Sequence, residues 1–143
     1  MRFLYRAVIV VYLISPLTLV YAKGKPKPPL NKVYQAESAV QVYGAMVRAA
    51  GVTMTNSVKE ACVVNMRWSD ESEDWYGNGW YTIVSVSASC QDLGGGKFSI
   101  TLSPQVNTNR FRIGDFEDKN VALFWSNLDH QLRPAVVESD QPK

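Results

Sequence analysis

Histidine is almost absent from this chain: His130 is the only one in 143 residues. That scarcity excludes any site built on two imidazoles, and no HExxH or paired CxxC spacing offers zinc ligands. No GxSxG elbow is present, so a serine–histidine triad would have to recruit His130 without its usual partner motif. His130 lies two residues from Leu128, off the apolar stripe of its segment, and reads as solvent-exposed. A phosphate loop is missing as well. Gly94-Gly95-Gly96-Lys97 lacks the GxxxxGK[ST] order, and Phe98 after it continues a strand pattern rather than opening a helix. No catalytic residue, metal or cofactor is expected, and the chain reads as a non-enzyme.

Long apolar runs are equally scarce. The one run, Ala7 to Val20, is shorter than the roughly 20 residues that cross a bilayer. Arg2 and Arg6 precede it and Val20-Tyr21-Ala22 follows, the layout of a signal peptide over residues 1–22. No cysteine follows the run to carry a lipid. A periplasmic or secreted destination is expected, with no stable membrane span after cleavage. Without Arg2 and Arg6 the 15 basic residues fall to 13, matching the 13 acidic ones. A neutral chain has no excess of cations with which to displace counterions from nucleic acid, so nucleic acid is not an expected partner.

Cysteine is limited to Cys62 and Cys90. In an oxidising compartment two cysteines allow one pairing, a structural disulfide closing a loop of about 28 residues.

What is present is periodicity. Residues 23–34, with Lys23, Lys25, Lys27 and Lys32 among prolines, read as a basic, extended lead-in. A single domain over 35–136 follows, and 137–143 read as a flexible tail. Ala36, Val40, Tyr43, Val47 and Ala50 recur at helical spacing, with Gly51 suited to the residue past the end. Val52 to Asn56 then read as a connector. Three segments alternate with period two: Cys62, Val64, Met66 and Trp68; then Trp80, Val84, Val86, Ala88 and Cys90; then Phe98, Ile100 and Leu102. The apolar positions are even throughout, and the odd ones are mostly Ser, Thr, Asn, Arg and Lys. Three antiparallel strands with one buried face follow.

Opposed residues of an antiparallel pair share a face, so Cys62 set against Cys90 places Trp68 against Val84. The disulfide then crosses between strands. The same parity places Cys90 near Phe98 and Ala88 near Ile100. A tight turn at Asn78-Gly79 would break the parity, so a wide loop over residues 70–78 is expected, with Trp80 facing the core. Residues 105–114 read as a loop. Asp115 or Asp118 caps a second helix carrying Val121, Phe124, Trp125, Leu128 and Leu132, which Pro134 ends. The expected fold is α+β: a two-layer sandwich, an antiparallel sheet of three or more strands with both helices on one face.

One stretch stands out. Asp70, Glu71, Glu73 and Asp74 crowd beside Trp75 and Tyr76. Two readings compete: a solvated rim, or a recognition loop in which the rings are anchors inside a charged border. The spacing lacks the DxDxDG order of a calcium loop. A second candidate surface is the odd face, where Ser85, Ser87, Ser89, Ser99, Thr101 and Ser103 form a hydroxyl field near Arg67 and Lys97.

From Gly51 to Leu132 the layout resembles small Gram-negative envelope domains: the TolB amino-terminal domain and the CsgG-like and LpoB-like modules. The shared features are the Ala50-Gly51-Val52 helix end, the Ala61-Cys62-Val63-Val64 strand opening and the Asp92-Leu93-Gly94-Gly95 turn, followed by a strand and an amphipathic helix. The resemblance implies non-enzymatic contact with a protein partner in the envelope. The expected function is an exported binding module, an accessory of an envelope or secretion assembly. The alternative is an immunity or inhibitor protein that plugs a toxin or a wall-degrading enzyme with the 70–81 loop. An enzyme acting on envelope material is a third, lesser reading.

Overall fold

The computed structural model describes residues 26–110 and 114–135, so the expected signal peptide and C-terminal tail lie outside the described residues. Six strands and two helices follow in the order β1 (Asn31–Gln35), α1 (Ala39–Ala50), β2 (Met54–Val58), β3 (Val63–Glu73), β4 (Gly79–Gly94), β5 (Lys97–Thr108), α2 (Gly114–Asp129) and β6 (Arg133–Pro134). A 3-10 turn, Gly51–Thr53, links α1 to β2. The strands form one antiparallel sheet in the order β2-β3-β4-β5-β1-β6. The fold is an α+β sandwich.

Parity builds the core. Val64, Met66 and Trp68 of β3, Val84, Val86 and Ala88 of β4, and Phe98, Ile100 and Leu102 of β5 are all buried. They pack with Val121, Phe124, Trp125 and Leu128 of α2 and Val42, Ala45, Met46 and Ala49 of α1. Removing such side chains from water stabilises each by roughly 1.5–3 kcal/mol. Trp68 stands opposite Val84 as the parity requires. Cys62, just before β3, is bonded to Cys90 with their Cα atoms 5.5 Å apart.

Several sequence expectations need correcting. The second hairpin is paired two residues further along: Cys90 opposes Ile100 and Ala88 opposes Leu102. Three glycines at positive φ, Gly94, Gly95 and Gly96, make a tight turn there, and Asp92 Oδ1 accepts the Gly94 N–H at 2.8 Å. Gly94 pairs with Lys97 across a two-residue Gly95-Gly96 turn, one residue later than the turn expected at Leu93-Gly94-Gly95, with a register shift between Asp92 and Gly94. Residues 105–108 belong to β5 rather than to a loop, carried past Pro104 by pairing with β4.

Three strands went unseen. β1 lies in the supposed lead-in, tied down because Tyr34 is fully buried. β2 (MTNSV) buries none of its side chains, so it has no alternation to reveal it. β6 has only two residues. Helix α1 begins at Ala39, where Ser38 Oγ accepts the Gln41 N–H, and buries Val42, Ala45, Met46, Ala49 and Ala50. That face is rotated from the expected one, and Val40 is exposed.

Candidate functional site

The β3–β4 hairpin continues past the last core pair, Trp68 and Val84, as a two-stranded arm. Ser69 opposes Ile83, and the ladder holds through Glu73 and Gly79. The wide loop expected over 70–78 is thus a correction: Asp70, Glu71 and Glu73 are strand residues, and only residues 74–78 turn. The register is the expected one; the strands are longer because nothing in the parity forbids polar pairs from extending a ladder.

The turn is closed by one carboxylate. Asp74 Oδ1 accepts the backbone N–H groups of Tyr76 at 2.9 Å and Asn78 at 2.8 Å, and Asp74 Oδ2 accepts from Asn78 Nδ2 at 3.3 Å. The Asp74 N–H donates to Asn78 O at 2.9 Å, and Gly77 takes φ +83. Donation from Asn78, then from Tyr76, favours the ionised form, and the Asp74 pKa lies below the usual carboxylate range. Asp74 is consequently a staple of the turn. The turn holds out the two rings beside it: Trp75 is 96% exposed and Tyr76 87%.

The other three carboxylates part company. Asp70 lies on the even face, 3.3 Å from Arg110 Nη1. The Arg110 guanidinium also sits 3.7 Å above the Trp80 ring. Trp80, expected in the core, is instead half-buried beneath Arg110, beyond the last core pair of the ladder. Beside it, Thr82 is fully buried and shares a hydrogen bond of 2.9 Å with Thr108. Glu71 and Glu73 lie on the odd face, where with Tyr81, Ile83 and Asn107 they line an open groove of about 760 Å³.

The β5 side of the arm is sealed by Asn109. Its side chain accepts the Tyr81 N–H at 2.8 Å and donates to Gly79 O at 3.2 Å, taking the place of a neighbouring strand. Asn109 and Arg110 were invisible in the sequence, where NTNR reads as a polar loop; only the alternation through Val106 and Thr108 hints that β5 goes on.

The remaining candidates separate cleanly. His130 is exposed, its Nδ1 2.6 Å from Ser126 O. Among the described residues no group of three His, Cys, Asp or Glu could hold a metal ion. The hydroxyl field is the sheet face that no described helix covers, where Asn31 Nδ2 donates to Ser99 Oγ at 2.7 Å and Thr101 Oγ1 at 2.8 Å. At the opposite edge of the core, the Tyr34 hydroxyl donates to Asp129 Oδ1 at 2.6 Å, and burial first, then this carboxylate, pushes its pKa far up. Among the described residues no helix is long and apolar enough to cross a membrane.

No family model and no curated protein matches the sequence. Among solved structures, the adenylate sensor from AMP-activated protein kinase in complex with 5-aminoimidazole-4-carboxamide 1-beta-D-ribofuranotide is similar at a TM-score of 0.49. Identity is 15%, over 72% of this chain and 98% of that one. A likeness that distant carries no argument about ligand or role.

Proposed function

We propose that this chain is a non-enzymatic, exported protein-binding module, an accessory of a cell-envelope or secretion assembly, and that the β3–β4 arm makes the contact. One observation carries the reading: Trp75 and Tyr76 stand almost wholly in solvent on a turn whose backbone is fixed by Asp74. Exposed rings on an ordered backbone lose little freedom on binding, and aromatic anchors dominate protein interfaces. The Cys62–Cys90 disulfide supports an oxidising compartment, and the resemblance of the sequence layout to TolB-like, CsgG-like and LpoB-like domains favours an envelope role.

A second reading, an immunity or inhibitor protein, draws support from Glu71 and Glu73 lining the groove behind the rings. An acidic, aromatic-tipped arm suits insertion into a basic cleft.

The test is capture from periplasmic extract with the purified chain as bait, repeated with Trp75→Ala/Tyr76→Ala. A stoichiometric protein lost with the double variant, whose melting temperature is unchanged, supports the proposal. A bound glycan with no protein overturns it, as does a large stability loss in the variant.

A further inference from the structure

One flank of the arm carries backbone groups that no strand covers. Cys90 donates its N–H to Cys62 O at 3.0 Å and Asp74 donates to Asn78 O at 2.9 Å, so even residues of β3 bond to β4 at both ends of the ladder. Odd residues of β3 therefore turn their N–H and C=O groups to the other flank. There β2 fills the inner slots. Met54 opposes Met66 and gives its own N–H to Gly51 O, which leaves Thr53 as the partner of Arg67. From Ser69 outward the flank is bare. Ser69, Glu71 and Glu73 present three donor–acceptor pairs over about 14 Å, with no partner strand among the described residues.

We infer that this edge takes a short extended segment of a partner protein as an added antiparallel strand, and that the segment sets two basic residues, two positions apart, opposite Glu71 and Glu73. The inference rests on reading the arm as the protein-contact surface and names the chemistry of what it contacts.

Parity decides where the charges fall. Residues that exchange both backbone bonds oppose one another and put their side chains on the same face. The positions that bond to Glu71 and Glu73 thus stand on the odd face, beside those carboxylates. Neither glutamate has an ion-pair partner among the described residues, whereas Asp70 is held by Arg110 and Asp74 by its own turn. Behind them the groove of about 760 Å³, lined by Tyr81 and Ile83, has room for the long apolar stems of lysine or arginine. Opposite charges facing across a ladder stabilise it, and like charges destabilise it. A second copy of this chain is disfavoured on the same ground, since β3 against β3 along this stretch sets Glu71 against itself.

The two ends of the slot limit the segment further. At the inner end Thr53 holds the next rung, so the added strand must leave the sheet after the position opposite Ser69. At the outer end β3 runs on into the exposed rings of Trp75 and Tyr76, which can cover apolar or cationic side chains leading into the segment. In strand addition the backbone bonds supply affinity to any extended chain, and alternate side chains supply the selection. Carboxylates on a bare edge guard it against indiscriminate pairing. Here the guard also selects, admitting a strand that brings the opposite charge at the right period.

Two peptides of one composition test this by amide hydrogen exchange on the purified chain: acetyl-VKVKVT-amide, with lysines at alternate positions, and acetyl-VKKVVT-amide, with lysines adjacent. In the free chain the Ser69, Glu71 and Glu73 amides are expected to exchange roughly tenfold or more faster than those of Asp70 and Ser72, which bond to β4. With about 1 mM of the alternating peptide at low salt, a Kd near ~100 μM slows the three odd amides by roughly tenfold. The effect shrinks in about 0.5 M salt, which screens exposed charges. Methylating the two lysine amide nitrogens removes the protection, because those N–H groups bond to β3. Methylating the valine amides that follow each lysine leaves it, because they point away. Glu71→Lys/Glu73→Lys loses the protection, and the milder Glu71→Gln/Glu73→Gln weakens it several-fold. No protection from the alternating peptide, equal protection from the adjacent one, or protection that survives methylation at the lysines each overturns the inference. The extract experiment is read separately. A partner captured through Trp75 and Tyr76, yet held equally well by Glu71→Lys/Glu73→Lys, sinks the added strand alone. An extract that yields no partner while the peptide still protects sinks the functional proposal alone.

Discussion

The two halves of the β3–β4 hairpin share one ladder and one register yet are held by different forces. Near the disulfide, even residues face two helices and are buried; beyond Trp68 the same parity delivers Asp70, Ser72 and Trp80, none of them buried, and only Thr82 stays covered. Backbone pairing continues unchanged, while hydrophobic burial gives way to an ion pair, a cation–π contact and hydroxyl bonds. A ladder thus propagates order further than a core does. The outer half buries little apolar surface, so little of the fold's stability is expected from it.

The sharpest way to break the contrast is to empty the inner half. Trp68→Ala is expected to cost about 3–5 kcal/mol, read as a loss of denaturation midpoint. Replacing both cysteines with serine comes next, at roughly 3–4 kcal/mol for a loop of this length. A refinement follows from Cys62 taking φ +51, a conformation that suits glycine. With Cys90→Ser held constant, Cys62→Gly should be more stable than Cys62→Ser by about 1 kcal/mol. Equal midpoints would mean that the turn pays nothing for its left-handed residue.

Changes in the outer half should be smaller. Arg110→Ala frees Asp70 and uncovers Trp80, with an expected cost under about 1 kcal/mol and a change in tryptophan fluorescence. The smallest effect concerns pH. The lowered Asp74 pKa means the turn is favoured above the unfolded carboxylate value, about 3.9, and that this is lost as pH falls through the folded value. Amide exchange at Tyr76 and Asn78 should quicken on acidification before the core melts. Asp74→Ala should quicken it at neutral pH.

Much of this was legible because burial leaves a period. Cys62 paired with Cys90, together with the even parity of Val64, Met66 and Trp68 against Val84, Val86 and Ala88, set the register of the first hairpin. Strands with no buried face left no such trace: β2 shows only polar residues and exposed Met54 and Val58, and β1 is anchored through Tyr34 alone. The place of Trp75 and Tyr76 in the turn followed from the register; their exposure did not. The dispersal of the four carboxylates to a salt bridge, a groove and a turn did not, since it depends on Asn109 and Arg110 folding back from a segment without periodicity.

Asn109 carries one last consequence. By standing in for a strand along Gly79 and Tyr81, it leaves the projecting hairpin with a strandless edge only on its β3 flank, among the described residues. Structures with two sticky flanks stack without end into fibres; one with a single flank stops growing once that flank is filled. An amide side chain of this kind removes one of the two edges through which backbone pairing could propagate from the arm.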